Sequence, residues 1–295
     1  MRVLLCIAHY FPVSGERHAI EGSSQDGLEK RKEIVVSCIR QWSSLLAEHE
    51  FLLGSEGDLS EGVNNVVVKR PAEIHGDVFL CTNQDNHVFH GERVVNFKSA
   101  QERLGHARHL PYLCRRVFME YRDRYDLFVY AEDDTVALDP EFFRKILDFY
   151  AEFGDRYLLL PNRYELFSGR SFKVYLENDS PEGYRVASPE PGPDRLTTRR
   201  GAELARTDSP YVGFYAVTRA QLRDWSAMPA FRVPTTDFNA NDLEQAMVPM
   251  LGRRPIYRPS RRNMAHLEVH HVPNRACHAR VPRTRLIASI EGRDA

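Results

Sequence analysis

Leu127-Phe128-Val129-Tyr130-Ala131-Glu132-Asp133-Asp134-Thr135 is the stretch that decides the fold. Its five leading residues are apolar without interruption, too short a run for an ordinary helix, and read as a strand covered on both faces. The run then breaks into three carboxylates, so the acids stand at the C-terminal end of a strand. Beyond them, Asp139-Pro140 offers an N-cap and a first-turn proline to a helix whose apolar face includes Phe142, Phe143, Ile146, Leu147 and Tyr150. Strand, acidic turn and helix in succession predict an α/β architecture.

The same alternation extends upstream. Residues 3–8 form a second continuous apolar run, and residues 29–46 place Ile34, Val35, Cys38, Ile39, Trp42, Leu45 and Leu46 at helical spacing. Short β-branched or aromatic runs at 51–53, 66–68, 78–80 and 94–97 read as further strands, and 109–121 as a helix with Leu110, Leu113, Val117 and Phe118 inward. Downstream, 157–160 is a strand. Residues 168–210 are crowded with Pro, Gly, Ser and charge and read as a long loop or lid, after which 211–218 resumes a strand pattern. The remaining C-terminal stretch is too small for an independent core, so the expectation is one α/β domain over 1–295 with a mixed, mainly parallel sheet flanked by helices. Its halves would be 1–135 and 136–295.

Composition narrows the classes. Lys+Arg 40 against Asp+Glu 41 leaves a formal charge of -1, which offers nucleic acid no general attraction. The five cysteines are scattered and never form Cys-x-x-Cys, which argues against a disulfide framework or a zinc ribbon and fits a reducing, cytoplasmic setting. No apolar stretch approaches the roughly 20 residues that span a bilayer, so membrane contact is expected to be peripheral at most.

In open α/β sheets ligands bind outside the carboxyl ends of the strands, which is where Glu132, Asp133 and Asp134 fall. On an extended backbone Glu132 and Asp134 point the same way, and hard oxygen ligands of this kind suit Mg²⁺ or Mn²⁺. The plainer reading of such a triplet is a solvated turn before a helix; the buried strand in front of it favours a site. Tyr130-Ala131-Glu132-Asp133-Asp134-Thr135 resembles the Asp-x-Asp element of GT-A glycosyltransferases, with Glu in place of the first Asp.

The resemblance implies a GT-A-like, Rossmann-like fold and a metal-dependent transfer of sugar from a nucleotide diphosphate, with a UDP-linked donor favoured. It extends to Tyr211-Val212-Gly213-Phe214-Tyr215-Ala216-Val217-Thr218-Arg219, which looks like the family's glycine-bearing strand near the donor. Asn239-Ala240-Asn241-Asp242-Leu243-Glu244-Gln245-Ala246-Met247 looks like its acceptor-side acidic pair, with Asn241 where an acid is more usual. By that resemblance Asp242 or Glu244 acts on the acceptor, either as a base for the attacking hydroxyl or as a partner to the oxocarbenium charge. The carry-over gives Glu132, Asp133 and Gly213 to the donor, and Ala8, Tyr10 and Arg31 to the base and ribose, with Tyr10 as a stacking ring. Gly213 can equally be a packing glycine, and Asp242 a helix cap.

The family also closes its metal site with a C-terminal histidine. Met264-Ala265-His266-Leu267-Glu268-Val269-His270-His271-Val272 supplies His266, His270 and His271, with His270 and His271 the leading pair. Alternation along a strand would set His266, Glu268 and His270 on one face and His271 on the other. Nine arginines, no lysine and the single acid Glu268 lie between Arg253 and Arg285, a bias that suits a diphosphate or an anionic glycan or glycolipid acceptor. Two rival functions stay open: a sugar-nucleotide nucleotidyltransferase, which needs a glycine-rich basic loop that residues 9–17 lack, and a non-catalytic relative that binds nucleotide sugars or glycans.

Overall fold

Apolar runs, helical spacing and turn residues translate into fifteen strands and five α-helices among the described residues. These are given by a computed structural model over residues 1–12, 27–48, 51–52, 66–67, 73–90, 98–104, 106–167, 172–176, 188, 190–210, 212–232 and 253–272. In chain order they are β1 (Arg2–His9), α1 (Leu28–Leu45), β2 (Phe51–Leu52), β3 (Val66–Val67), β4 (His75–Asn83), β5 (Lys98–Glu102), α2 (Leu110–Glu120), β6 (Leu127–Glu132), β7 (Thr135–Val136) and α3 (Phe142–Phe153). There follow β8 (Leu158–Leu159), β9 (Asn162–Phe167), β10 (Phe172–Tyr175), β11 (Arg195–Thr197), β12 (Glu203–Thr207), β13 (Phe214–Thr218), α4 (Arg219–Ser226), α5 (Pro229–Arg232), β14 (Ile256–Pro259) and β15 (Glu268–His271).

The central sheet has the order β13-β6-β1-β4-β5. β1 runs parallel to both β4 and β6, β4 is parallel to β5, and β13 alone is antiparallel, against β6. From β1 the chain moves outward through β4 to β5, then returns to the other side of β1 as β6. The strand order therefore reverses between β1 and β6, and their C-terminal ends flank the crevice in which sheets of this class hold ligands. The register pairs Ala8 with Glu132, which brings the acidic turn beside His9.

Alternation along the strands feeds two layers. On one face Trp42 of α1 is fully buried against Phe142 and Phe143 of α3 and stacks on Phe214 of β13 at 5.8 Å. On the other, Phe118 of α2 meets Phe128 of β6 edge to face. One continuous core runs from Val3 to Val269, so the described elements form a single α/β unit, as expected. Trp42 also donates its indole N–H to the Thr135 carbonyl at 2.8 Å, tying the residue after the acids to α1.

Two smaller sheets carry the second half, ordered β10-β9-β15-β7 and β11-β12-β14-β8. β7 follows the acidic turn directly and pairs with β15, His271 opposite Thr135 and His270 opposite Val136. The Val272 N–H bonds to the Asp134 carbonyl at 2.9 Å. The C-terminal histidines are thus stitched to the acids by backbone bonds.

Several expectations change. Residues 168–210 are not one long loop: β10, β11 and β12 lie within them, short antiparallel strands of which β10 pairs with the preceding β9 and β11 with the following β12, each too short to show a period of its own. Asp139 does not cap α3; Glu141 holds the N-cap position without a side-chain bond, while Asp139 accepts from the Glu141 N–H one turn earlier and pairs with Lys145 at 2.6 Å. His266 is not on β15 but in a 3-10 turn, Met264–His266, which breaks the alternation expected over 264–272. The strand expected at 94–97 lies outside the described residues; β5 begins at Lys98 with a polar sequence. Cys6, Cys38, Cys81 and Cys114 are buried and free, and no described helix is long and apolar enough to cross a membrane.

At the opposite edge of the sheet Asp77 accepts from the Tyr125 hydroxyl and pairs with Lys98 at 2.8 Å and Arg2 at 3.7 Å. Burial pushes its carboxyl up, but Lys98, Tyr125 and Arg2 outweigh burial and hold it below its ordinary value. A depressed native pKa gives stability that is complete above the unfolded value of about 3.9 and is lost as pH falls through the native one. Denaturant titrations across pH should show the wild-type advantage over Asp77→Asn constant above about pH 5 and shrinking below about pH 4. An advantage independent of pH would contradict this assignment.

Candidate functional site

At the crevice between β1 and β6 the chain turns at Asp133 and Asp134, and the two carboxylates diverge. Asp133, buried, is held by the His9 ring through Nδ1 and by the Arg31 guanidinium. The protonation of His9 follows from its other nitrogen: the Val88 N–H donates to Nε2 at 3.1 Å, so Nε2 accepts and Nδ1 carries the proton given to Asp133. His9 is therefore a neutral clip between the acidic turn and the segment after β4. Arg31, one turn into α1, also reaches Asp134 Oδ2 at 3.4 Å. Burial would lower the guanidinium's pKa, but Asp133 and Asp134 outweigh it and raise it, so the cation is permanent.

Asp134 meets a second imidazole. His271 Nε2 stands 3.5 Å from Asp134 Oδ2, while its Nδ1 contacts Glu165 Oε1 at 2.5 Å and lies 3.2 Å from Arg163 Nη2. Burial works to raise the Asp134 carboxyl; His271, Arg31 and Arg163 together hold it well below the usual carboxylate range. Two polar atoms remain: Asp134 Oδ1 and Thr135 Oγ1 are buried with no hydrogen-bond partner. A polar guest reaching this corner would satisfy both.

Gly213 closes this corner. Its φ is +68°, where a side chain is strained, and a Cβ there would stand 2.9 Å from Glu132 Oε2 and 3.2 Å from Thr135 Oγ1. The Glu132 N–H bonds to the Gly213 carbonyl at 2.9 Å, so β13 and the first acid are locked together. The positive φ favours glycine here for its backbone as well as for the space it leaves.

The donor set can be compared with what a divalent ion needs. Among the described residues no three His, Cys, Asp or Glu side chains could hold an ion together. Two can: donors each about 2.1 Å from one ion at a right angle stand about 3 Å apart, close to the 3.5 Å between His271 Nε2 and Asp134 Oδ2. Asp134 Oδ1 is a further unused oxygen. The spacing of this pair is compatible with a Mg²⁺- or Mn²⁺-type ion that would draw its remaining ligands from outside the described side chains.

The structure thus brings together Glu132, Asp133, Asp134, Gly213, Arg31 and His271. Arg31, expected at the base and ribose, is instead buried as the partner of both aspartates. Tyr10, expected as a stacking ring, is packed in the core, and Ala8 lies fully buried on β1. His270 faces away from the acids and stacks on Tyr164 at 4.9 Å, because neighbours on a strand point to opposite faces. His266 lies beside Lys145 and Arg200. Asp242 and Glu244 lie outside the described residues. Of the arginine-rich stretch, Arg258 is buried and donates to the Ser209 carbonyl, and Arg254 donates to the Asp155 carbonyl and pairs with Asp224, so both serve the fold. The sequence reading missed His9, Arg163 and Glu165. Arg163 and Glu165 alternate on a strand just after an apolar run and Pro161, which was the available signal.

No family profile matches the chain, and no curated protein matches it. Among solved structures it is similar to a CMP:2-keto-3-deoxy-manno-octonic acid synthetase complexed with CTP, at 14% identity and a TM-score of 0.42 over 98% of this chain and 99% of that one. A mannose-1-phosphate geranyltransferase from Thermus thermophilus aligns at 9% identity and a TM-score of 0.38, over 88% and 72% of the two chains. A protein assigned as a nucleotide-diphospho-sugar transferase from Desulfovibrio desulfuricans aligns at 11% and 0.36, over 87% and 78%. Likenesses this low carry no argument about the chemistry, which rests on the residues themselves.

Removing one member of a buried ion-pair network leaves the others uncompensated. Arg31→Leu should therefore lower the unfolding free energy by about 3–5 kcal/mol, read by chemical denaturation at neutral pH. A loss below about 1 kcal/mol would show that the guanidinium is not what holds the turn.

Proposed function

We propose that this chain is a divalent-metal-dependent transferase acting on a nucleotide-diphosphate sugar, and that its reaction is glycosyl transfer of the GT-A type to a hydroxyl acceptor. The observation that carries the reading is the buried Asp134, whose Oδ1 is unpartnered and whose Oδ2 lies 3.5 Å from His271 Nε2, at the strand ends where the sheet order reverses. In this reading Asp134 and His271 hold Mn²⁺ or Mg²⁺, with the imidazole tilting preference toward Mn²⁺. Once bound, the ion offsets the negative charge that builds on the departing diphosphate.

The chain's own groups supply the rest. His9 and Arg31 fix Asp133, so the turn keeps its shape and Asp134 stays ionised and aimed. Gly213 leaves room beside Glu132 and Thr135, where a side chain would crowd both. Thr135 Oγ1 can donate to a phosphate or sugar oxygen there. The acceptor oxygen attacks the anomeric carbon, the bond from that carbon to the phosphate oxygen breaks, and the hydroxyl proton passes to a base. Asp242 or Glu244 is the proposed group on the acceptor side, acting as that base if the enzyme inverts. A UDP-linked donor and a glycan or anionic glycolipid acceptor complete the proposal.

Calorimetry of nucleoside diphosphates with and without Mn²⁺ tests it. The wild type should bind a nucleoside diphosphate in a Mn²⁺-dependent manner, and Asp134→Ala should lose at least tenfold in that affinity while remaining folded, since Asp133 keeps its two partners. Unchanged Mn²⁺-dependent affinity in Asp134→Ala would remove Asp134 from the site. Product analysis separates the neighbouring chemistry: nucleoside diphosphate release fits sugar transfer, whereas pyrophosphate release from a nucleoside triphosphate and a sugar acid or sugar phosphate would make the chain a nucleotidyltransferase.

A further inference from the structure

Glu165 is a carboxylate with no exposed surface, in the middle of β9, and the reaction just described makes no use of it. An ionised carboxylate is costly to bury without partners, and Glu165 Oε1 meets one ring nitrogen of His271 at 2.5 Å. β9 lies parallel to β15, with Tyr164 beside His270, so Glu165 follows beside His271 on the same face. The other side of β15 is β7, whose Thr135 is opposite His271. The imidazole is thus framed by backbone pairing on both sides, with Glu165 at Nδ1 and Asp134 near Nε2.

We propose that Glu165 is a positioning residue that decides which nitrogen of His271 is offered to a divalent cation at Asp134. Glu165 and Asp134 can both only accept, but Glu165 meets Nδ1 at 2.5 Å whereas Asp134 stands 3.5 Å from Nε2, so in the neutral ring the nearer carboxylate takes the proton on Nδ1 and the Nε2 lone pair faces the Asp134 side. Arg163, 3.2 Å from the same nitrogen, brings a positive charge that compensates Glu165. With Glu165 removed, the ring is free to carry its proton on Nε2, which then cannot act as a ligand, and to rotate away. Partners of this kind orient metal-binding histidines and raise their basicity, and their loss costs about 10–100-fold in metal affinity. The inference rests on the metal-dependent reading of the site.

The test measures Mn²⁺ and Mg²⁺ binding to the full chain by electron paramagnetic resonance and calorimetry, with and without a nucleoside diphosphate, and reads thermal stability without metal alongside. Glu165→Leu should weaken Mn²⁺ binding about 10–100-fold, and Mg²⁺ binding less, because the lost ligand is a nitrogen. Glu165→Gln, which keeps an acceptor but no charge, should show a smaller loss of about threefold or more, and it decides the matter if the leucine variant fails to fold. In a His271→Ala background either change at Glu165 should have no further effect, which a merely structural carboxylate would not produce. Wild-type affinity in Glu165→Gln and Glu165→Leu, or an equal loss with and without His271, overturns the positioning role while leaving the metal site standing. A wild type that binds neither ion under any condition overturns the functional reading as well.

Discussion

Two carboxylates on adjacent residues cannot be buried at one turn unless positive charge is buried with them. At an effective dielectric of about 20, like charges some 4 Å apart repel by on the order of 4 kcal/mol. Arg31 answers this constraint by reaching both Asp133 and Asp134 from α1, and the rest of the site is arranged around it. His9 takes the remaining side of Asp133 and His271 approaches Asp134, so Asp133 is saturated while Asp134 keeps one oxygen free. That asymmetry sets them apart: Asp133 is spent on the scaffold, and Asp134 is the aspartate that the proposed site uses.

The constraint also explains how distant parts of the chain depend on one another. β1 supplies His9, α1 supplies Arg31, and β15 supplies His271, three segments that meet only because β6 ends where it does. Trp42 binds the Thr135 carbonyl from the same helix that carries Arg31, so the backbone after the acids and the guanidinium beside them are both anchored to α1. β7, only two residues long, converts the acidic turn into a pairing site for β15 and thereby delivers an imidazole to it.

What could be read from the sequence came from local signals. The apolar run 127–131 and the helical spacing of Ile34, Val35, Cys38, Ile39 and Trp42 identified the central sheet's key strand and its first helix, because burial on one face or both leaves a period. The acidic turn was visible for the same reason. The two smaller sheets were legible only in part: the run at 157–160 and the histidine stretch pointed to β8 and β15, whereas β9, β10, β11 and β12 are short and rich in polar residues and show no apolar period. His271 could be named only as one of a leading pair with His270, since alternation puts the two on opposite faces without saying which face meets the acids. Arg31 was singled out but given to a nucleotide, because a buried arginine and a ligand-binding one look alike until their carboxylates are located. His9 and Glu165 escaped for a related reason: a polar residue in a strand reads as solvent-facing unless its partner is known.

The free oxygen of Asp134 and the imidazole beside it are the point on which the proposed chemistry turns. Anomalous diffraction from crystals grown with Mn²⁺ and a nucleoside diphosphate measures this most directly. The expected result is a manganese peak bonded to Asp134 and to Nε2 of His271, with diphosphate oxygens completing its shell and Arg31 still on Asp133. Density for the nucleotide with no metal at this turn, or manganese held by other residues, would contradict it.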